Sequence, residues 1–330
     1  MSHLKHGLNK KIGLGTAPLG NMFRNVPDEE ALATIQTAWD AGIRYFDTAP
    51  FYGFGLSELR LGKVLLEYNR NDYILSSKVG RIILDEEEDK SGLFEDGRKN
   101  KLVTDYTEDG TLRSIEDSLT RLNTDHLDIL FVHDLSPDFL GNEWTEKFEE
   151  ARKGAFPVLE QLRKEGVIKS WGLGVNTTEP IEKILELDEV QPDLCLTATQ
   201  YTLMQHEKAL EKMMPLAEKK GMGFVVGSPY NSGALLGGDH FDYAEASEEK
   251  KSHARELKEI AEKHGVSLKA AALQFSSAHP AVQAVIPGST RTDRIKEDLS
   301  ALEDERIPHA FWDELISRGF VSEKAPLPKG

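Results

Sequence analysis

Four polar residues stand at or just after short apolar runs of the kind that form buried strands. Asp47 ends RYFD, Tyr52 lies in TAPFYG, Lys78 ends ILSSK and His133 ends ILFVH. A free tyrosine phenol has a pKa of about 10, so near neutral pH it exchanges protons poorly unless a cation stabilises the phenolate. Lys78 could provide that cation, Asp47 could hold the ammonium in place, and His133 could hydrogen-bond a substrate oxygen. This combination supports proton transfer coupled to hydride transfer, and it needs no metal ion.

Taken singly, each of these residues has a structural explanation. A strand-end aspartate often caps a helix or a turn, and a strand-end lysine is often solvated. A tyrosine that follows phenylalanine is often half-buried packing, and a strand-end histidine is often a satisfied core residue. The chemical interpretation depends on the coincidence of four such residues after successive apolar runs.

These apolar runs alternate along the chain with stretches of helical period. The predicted strands are residues 12–15, 43–47, 73–79, 127–133, 169–175, 194–200, 223–228 and 282–286. Helices are predicted near residues 29–41, 57–68, 111–122, 146–165, 178–187, 206–220, 248–264 and 291–302. Buried apolar strands joined by crossover helices are typical of a parallel sheet that is covered on both faces.

Eight strand–helix units predict an α/β fold in which residues 1–330 form a single (β/α)₈ TIM barrel, because no linker or composition break divides them. The alternative is an open, doubly wound sheet. It is disfavoured because GLGTAPLG has glycines at positions 13, 15 and 20, which is not the G-x-G-x-x-G spacing. In a barrel, consecutive strand ends meet at one mouth, so residues 47 to 133 could converge there.

The segment after the third strand departs from the regular alternation. Residues 85–110 (DEEEDKSGLFEDGRKNKLVTDYTEDG) are polar, contain glycine and are longer than an ordinary strand-to-helix connection. A connection at this place lies on the catalytic face of a barrel. We predict a long loop that acts as a substrate lid and not as a folding element; a mobile insertion is the alternative.

The composition excludes several classes of protein. Lys and Arg number 40 against 56 Asp and Glu, a formal charge of −16, so neither nucleic acid nor an anionic membrane is a predicted partner. Cys195 is the only cysteine, which excludes an intrachain disulfide and a cysteine zinc cage. No apolar run reaches the roughly 20 residues of a membrane helix, and MSHLKHGLNK is no signal peptide. We expect a cytoplasmic protein, a monomer or weak homo-oligomer, that acts on a small molecule.

Three segments together resemble a known family. GIRYFDTAPFYGFGLSELRLGKVL, SIEDSLTRLNTDHLDILFVHD and VIPGSTRTDRIKED resemble, in this order, signatures of the aldo-keto reductases, and the resemblance runs from Ile12 to about Leu302. It implies a (β/α)₈ barrel and hydride exchange with a nicotinamide cofactor that is bound without a Rossmann motif. It also implies that the catalytic residues are Asp47, Tyr52, Lys78 and His133.

The resemblance also implies a cofactor site along the mouth of the barrel. Asn176 and Gln200 would hydrogen-bond the nicotinamide carboxamide, and Tyr230 or a neighbour in GSPYNSGALLGG would stack on the ring. The other positions implied to surround the cofactor are Thr16, Asp47, Ser228, Asn231, Gly233, Leu235, Ile286, Gly288, Ser289, Arg291, Arg294 and Asp298.

Two departures from the family pattern bear on the choice between NAD and NADP. Gly288 stands where many NADP-preferring members have lysine, and Asp298 stands where an asparagine often faces adenine. Both changes reduce positive charge where a 2′-phosphate would lie. We therefore predict a preference for NAD, and Arg291 and Arg294 leave NADP open.

Within the family, FYGFGLSELRLGKVL, SSKVGR, the 85–110 insertion and LDILFVHD resemble the aldose 1-dehydrogenase branch. That branch oxidises the anomeric carbon of aldoses to lactones, and it includes relatives that act on pyridoxal. The residues predicted to line the sugar pocket are Tyr52, Phe94, Tyr106, His133, Asp134 and Trp144. The alternatives are a general aldehyde or ketone reductase, a pyridoxal 4-dehydrogenase and, from another class, a cofactor-sensing regulatory subunit with little turnover.

Overall fold

A ring of eight parallel strands forms the centre of the computed structural model, which describes residues 10–328. The strands of the chain are β1 (Leu14–Gly15), β2 (Tyr45–Asp47), β3 (Ile74–Val79), β4 (Arg81–Glu87), β5 (Asn100–Thr104), β6 (Ile129–His133), β7 (Ser170–Val175), β8 (Leu194–Ala198), β9 (Gly223–Gly227), β10 (His240–Phe241), β11 (Ala244–Glu245) and β12 (Val282–Ile286). The helices are α1 (Asp28–Asp40), α2 (Leu56–Leu65), α3 (Glu108–Leu122), α4 (Pro137–Leu140), α5 (Trp144–Lys153), α6 (Ala155–Lys164), α7 (Glu179–Leu185), α8 (Met214–Lys220), α9 (Glu248–His264), α10 (Leu268–Ala278), α11 (Thr292–Glu303) and α12 (His309–Ser317).

The parallel strands follow the order β1-β2-β3-β6-β7-β8-β9-β12. Two parallel bridges, Ile12 to Val285 and Gly15 to Gly288, join the first strand to the last. The Gly13 amide also donates to the Val285 carbonyl oxygen at 2.9 Å, so the ring is closed. The predicted (β/α)₈ barrel is confirmed, and the open sheet is wrong.

The eight parallel strands are buried on both faces because their side chains alternate between two cores. The cluster inside the ring consists of Tyr45, Ile74, Ile129, Phe131, Leu194, Leu196, Ala198, Val225, Ala284 and Ile286. Their neighbours along the strands, such as Phe46 and Leu130, belong to the larger cluster between strands and helices. The longer helices turn an apolar face to this outer core; in α1 the buried residues are Ala31, Thr34, Ile35 and Ala38.

Several helices differ from the prediction at their joints. The predicted helix over residues 146–165 is broken at Gly154, where the backbone passes so close that a Cβ would lie 2.5 Å from the Tyr106 carbonyl oxygen. The periodicity does not predict α4, α10, α12 or the short β10–β11 pair. Ser267 caps the N-terminus of α10, because its hydroxyl accepts from the Ala270 amide at 3.3 Å. Within residues 10–328, no helix has both the length and the apolar character needed to span a bilayer.

A long connection follows the third barrel strand, as predicted, but residues 85–110 are not a loop throughout. The strands β4 and β5 form an antiparallel hairpin with Arg81 opposite Thr104 and Ile83 opposite Leu102. The helix α3 already begins at Glu108. Acidic residues dominate the composition of the segment, and they obscure the alternation of Ile82 and its neighbours that a strand requires.

The hairpin packs against the barrel and is part of the folded structure. Phe94, between its strands, is 3% exposed. The Phe23 amide donates to the Leu93 carbonyl oxygen at 3.1 Å, and the Arg98 amide donates to the Gly53 carbonyl oxygen at 3.1 Å. These contacts contradict the expectation that the segment is not a folding element.

Candidate active site

A cavity of about 1140 Å³ lies at the carboxyl ends of the parallel strands. Its wall includes Asp47, Tyr52, Lys78 and His133, so the structure brings together the four residues predicted to do chemistry. The cavity continues to Asp298 on α11. Small-molecule sites have volumes of about 300–1,000 Å³, so this cavity has room for a large ligand and a second, smaller one.

A buried ion pair joins the ends of β2 and β3. The Lys78 ammonium lies 2.7 Å from Asp47 Oδ2, and both side chains are at most 2% exposed. Lys78 Nζ also donates to the Thr48 carbonyl oxygen at 2.8 Å, and the Ser76 hydroxyl donates to Asp47 Oδ1 at 2.7 Å. Burial raises the pKa of Asp47, although Lys78 and Ser76 oppose this shift. The charge-assisted hydrogen bonds fix the ammonium in one position.

Tyr52 is held in a tight turn between β2 and α2. Gly53 follows it with a φ of +63°, and a Cβ on Gly53 would overlap the Gly20 carbonyl group. Only glycine fits this approach, and the turn places the Tyr52 ring in the cavity wall. The Lys78 ammonium lies 4.9 Å from the ring centroid, and the His133 ring meets Tyr52 edge-on with centroids 5.8 Å apart.

The ionisation of Tyr52 differs from the expectation. Burial raises the pKa of the Tyr52 phenol well above its ordinary value, and the Asp47 and Asp134 carboxylates raise it further. The net pKa is therefore raised and not lowered as predicted, because burial is the largest cause of the shift and the two carboxylates add to it. Tyr52 therefore stays protonated at neutral pH and can donate a proton to a substrate oxygen.

His133 is a neutral imidazole at the end of β6. Burial lowers its pKa well below the ordinary value, and the cations Lys78 and Arg81 lower it further. Its Nδ1 is buried without a hydrogen-bond partner among residues 10–328, and its Nε2 lies 3.6 Å from Asp134 Oδ1. The Tyr106 hydroxyl donates to the His133 carbonyl oxygen at 2.6 Å, which fixes the backbone. The ring can therefore form a hydrogen bond with a substrate oxygen.

Most residues predicted to bind a cofactor line the same cavity: Asp47, Asn176, Gln200, Ser228, Tyr230, Gly233, Ile286, Gly288, Ser289, Arg294 and Asp298. Asn176 and Gln200 follow the ends of β7 and β8 and present neutral amide groups. Within the described part of the chain, the Arg294 guanidinium forms no ion pair. The cavity wall thus contains the amide groups of Asn176 and Gln200 at the strand ends and the guanidinium of Arg294 on α11.

Four predicted cofactor residues do not reach the cavity. Thr16 is fully buried, and its hydroxyl donates to the backbone at the end of β2. Asn231 is fully buried, and both ends of its amide bond to protein groups. Leu235 packs in the outer core, and Arg291 pairs with Asp293 on the surface. These residues support the backbone around the site.

Four of the six residues predicted to line the substrate pocket do so: Tyr52, Phe94, His133 and Asp134. Tyr106 does not, because it is fully buried beneath the backbone of the β3–β4 connection. Trp144 begins α5 and packs on Phe148, with ring centroids 6.3 Å apart. The apolar wall comes instead from Phe51 and Phe139.

The position of Tyr230 argues against its predicted stacking on a nicotinamide ring. Its hydroxyl donates to Asp298 Oδ1 at 2.7 Å, at the end of the cavity predicted to hold adenosine. Lys269 on α10 lies 3.3 Å from the same oxygen. From the turn between β10 and β11, Tyr243 reaches the cavity beside Ser228, with the two hydroxyl oxygens 2.8 Å apart.

Several residues that line the cavity are missing from the predicted site: Phe23, Arg24, Phe51, Leu93, Phe139, Tyr243 and Lys269. Phe51 directly precedes Tyr52, so the motif itself could have identified it. Tyr243 and Lys269 lie on elements that the periodicity does not predict, and the sequence carries no signal for them.

Comparison with known proteins places this geometry in a family. The Aldo/keto reductase family model matches residues 11–317. The chain is 37% identical to pyridoxal 4-dehydrogenase from Microbacterium luteolum, with 94% of each chain covered. It is 35% identical to D-threo-aldose 1-dehydrogenase from a Pseudomonas species, again with 94% of each covered. The holo form of an aldo-keto reductase from Bacillus halodurans has the same fold, with a TM-score of 0.69 at 24% identity over 96% of this chain and 92% of that chain.

The fold and the polar cavity at its mouth define a (β/α)₈-barrel oxidoreductase. Because the family model matches most of the chain, the chain belongs to the aldo/keto reductase family. It is accordingly an NAD(P)-dependent oxidoreductase. The family and the enzyme class predicted from the three signature segments are confirmed.

Proposed function

We propose that the chain is an aldose 1-dehydrogenase, which transfers hydride between the anomeric carbon of an aldose and a nicotinamide cofactor and forms a lactone. The observation that carries the proposal is the buried Asp47–Lys78 pair beside Tyr52 and His133, in a cavity with further carboxylates in its wall. Carboxylates suit a polyhydroxylated substrate because they accept hydrogen bonds from hydroxyl groups. The similarity to D-threo-aldose 1-dehydrogenase supports this substrate class.

In this proposal Tyr52 is the general acid and base. In reduction its phenol gives a proton to the carbonyl oxygen as hydride reaches the carbon, and in oxidation its oxygen takes the proton back. Neutral His133 holds the reacting oxygen by a hydrogen bond. Lys78 stabilises the negative charge that Tyr52 develops when its proton leaves, and Asp47 keeps Lys78 in position.

The remaining wall of the cavity fits a dinucleotide. When bound, the nicotinamide accepts or supplies the hydride. Asn176 and Gln200 would hold its carboxamide, because both present amide groups to the cavity. Ser289 and Arg294 would hold phosphate oxygens. At Gly233, with a φ of +100°, open space lies where a Cβ would be, so the backbone can approach a ligand closely.

The raised pKa of Tyr52 predicts different pH dependences for the two directions. Oxidation requires the phenolate, whose fraction grows about tenfold per pH unit below the pKa, so kcat/KM for aldose oxidation should rise through the neutral and alkaline range. Reduction requires the phenol, so its rate should stay level there. His133 adds no step at neutral pH because its pKa is lowered. Rates in both directions over a pH series test this, and an oxidation rate that falls with pH would contradict it.

We propose a preference for NAD over NADP. Gly288 provides no cation for a 2′-phosphate, although Asp298 contributes less negative charge than predicted because it is 3% exposed and pairs with Lys269. Gly288→Lys is a poor test, since a Cβ on Gly288 would lie 2.9 Å from Pro18 Cγ. Glu297 lines the cavity and accepts from Lys269 Nζ at 2.6 Å, so its charge masks that ammonium.

Glu297→Gln should therefore tighten NADP binding by up to about tenfold, the value of one modest charge-assisted hydrogen bond, while NAD binding changes by less than about twofold. Glu303→Gln is the matched control on the same helix, because Glu303 pairs with Lys10 and does not line the cavity. Fluorescence titration of both cofactors measures the change. Tighter binding of NADP than of NAD by the parent protein would refute the preference.

The alternative substrate is pyridoxal, which is favoured by the 37% identity to a pyridoxal 4-dehydrogenase. Two further alternatives are a general aldehyde or ketone reductase and a cofactor-sensing subunit with little turnover. The deciding experiment follows NADH and NADPH absorbance with both cofactors against aldoses, pyridoxal and simple aldehydes. We expect the highest kcat/KM with an aldose and NAD. A higher value for pyridoxal would replace the proposal, and cofactor binding without turnover would favour the sensor.

We also propose that residues 1–330 form one domain, and that the enzyme is cytoplasmic and a monomer or weak homo-oligomer. The formal charge of −16 supports a protein that binds neither nucleic acid nor anionic membranes.

A further inference from the structure

Asp134 is a buried carboxylate directly after His133. It is 5% exposed and lines the cavity. Its backbone has a φ of +48°, a left-handed conformation that a non-glycine residue adopts at an energetic cost. The Asp134 amide donates to the Gly174 carbonyl oxygen at 3.0 Å, which holds this turn at the end of β6. Strained backbone of this kind is concentrated at functional sites.

The Asp134 carboxylate has unused acceptor capacity. Within residues 10–328 it receives one side-chain hydrogen bond, a long one of 3.4 Å from Arg81 Nη2 to Oδ2. Its Oδ1 lies 3.6 Å from His133 Nε2, too far for a hydrogen bond. A carboxylate has about four lone-pair sites, and a buried one normally uses several. The free acceptors of Asp134 therefore suit a donor from a ligand in the cavity.

Arg81 holds this carboxylate from behind the cavity wall. It is 1% exposed and does not line the cavity. Its guanidinium donates to the Thr104 hydroxyl on β5 and lies 3.9 Å from the Phe139 ring centroid. An arginine fixed by a hairpin strand and an aromatic ring can position one carboxylate with little freedom.

The charge of Asp134 suits hydrogen-bond acceptance near neutral pH. Burial raises the pKa of Asp134 to about 6, with Arg81 and Lys78 opposing the shift and Asp138 adding to it. At pH 7 the group is mostly ionised, so it accepts hydrogen bonds and donates none.

We propose that Asp134, positioned by Arg81, binds the hydroxyl group on the carbon next to the reacting carbon. The enzyme thereby selects aldoses and other 2-hydroxy aldehydes over substrates that lack this hydroxyl. The inference rests on the proposed function, because it takes His133 as the residue that holds the reacting oxygen. His133 Nε2 and Asp134 Oδ1 lie 3.6 Å apart, so each can bond one of two oxygens on neighbouring sugar carbons.

The test compares kcat/KM for L-fucose and 2-deoxy-L-fucose in the parent enzyme and in Asp134→Ala. Loss of a hydrogen bond to a charged group corresponds to a roughly ten- to hundredfold decrease in kcat/KM. We expect the ratio of the two kcat/KM values to fall by that factor in Asp134→Ala. The loss should be on L-fucose, chiefly in KM, with the 2-deoxy sugar changed by less than about threefold. An unchanged ratio would overturn the inference.

Three further variants separate positioning from folding. Arg81→Met should lower the same substrate ratio, and Arg81→Lys should restore part of it, because Arg81 positions Asp134 and does not itself line the cavity. Asp188→Asn, at a carboxylate whose side chain is fully exposed, should leave the ratio unchanged. Melting temperature and NAD titration check that each variant is folded and binds cofactor. A uniform loss on both sugars would make Arg81 merely structural.

The outcome distinguishes this inference from the proposed function. If the parent enzyme oxidises L-fucose and Asp134→Ala keeps the substrate ratio, the inference fails and the proposed function stands. If neither sugar is a substrate, the aldose assignment fails. The inference is then tested on D-glyceraldehyde against 3-hydroxypropanal, where an equal ratio in the parent and in Asp134→Ala overturns it as well.

Discussion

Replacing Tyr52 with phenylalanine is expected to lower turnover by about 10²- to 10⁴-fold, the usual contribution of general acid–base catalysis. The substitution removes only the phenolic oxygen. The ring contacts with His133 and Phe94, at centroid distances of 5.8 and 6.0 Å, can persist, so the pocket keeps its shape. Affinity for NAD should change by less than about twofold, because the phenol meets the substrate oxygen and not the dinucleotide.

The matched control is Tyr68→Phe. The Tyr68 hydroxyl accepts a hydrogen bond from Gln36 at 2.5 Å, and its ring stacks on Trp39, outside the cavity. Steady-state kcat and NAD titration are measured for both variants. If Tyr52→Phe turned over within about threefold of the parent enzyme, Tyr52 would lose its proposed role.

Lys78→Met is expected to impair stability as well as catalysis. Removing the ammonium leaves the buried Asp47 carboxylate without its ion pair, and breaking one side of a buried pair costs about 3–5 kcal/mol. The pKa of Asp47, already raised by burial, should rise further. An acid whose pKa is raised on folding destabilises the folded state progressively as pH rises from the unfolded-state pKa to the raised one, so the loss should grow over that range and vanish below it, where Asp47 is protonated in both states.

The double variant Asp47→Asn/Lys78→Met separates the two effects. It carries no buried charge at this pair, so its unfolding free energy at pH 7 should recover toward that of the parent protein, while turnover stays low. In whatever activity Lys78→Met alone retains, the rise of oxidation with pH should move to higher pH, because the Tyr52 phenolate has lost a nearby cation while the Asp47 carboxylate is still present. An unchanged pH–rate profile, or recovery of turnover in the double variant, would make Lys78 structural only.

The features of this enzyme that could be predicted from the sequence are those that depend on residues close together in the chain. Alternating apolar strands and helices predict the barrel, and the barrel alone brings strand-end residues 47, 78 and 133 to one mouth. Tyr52 follows from its turn, because glycine is needed directly after it. The three signature segments identify the family because they are continuous in sequence.

The remaining features depend on contacts that no local pattern contains. The β4–β5 hairpin is predicted as a polar loop because β4 ends in acidic residues and the segment between the two strands is polar, so the burial of Tyr106 and Phe94 could not be inferred. Thr16 and Asn231 are of residue types that often bind ligands, but the side chains of both form their hydrogen bonds with protein groups. The pKa of Tyr52 moves opposite to the expectation because burial, which the sequence does not give, outweighs the charge of Lys78.

The first strand meets the last at a short seam. The strand β1 contains only Leu14 and Gly15, and a parallel bridge joins Gly15 to Gly288, just after the last strand. Both of these glycines also line the cavity. A ligand that spans the bridge therefore favours the closed ring, and by thermodynamic reciprocity the closed ring increases the affinity for that ligand by the same factor. Opening of the seam and release of the ligand are then coupled events, so occupancy of the cavity resists local unfolding at the place where the barrel is joined.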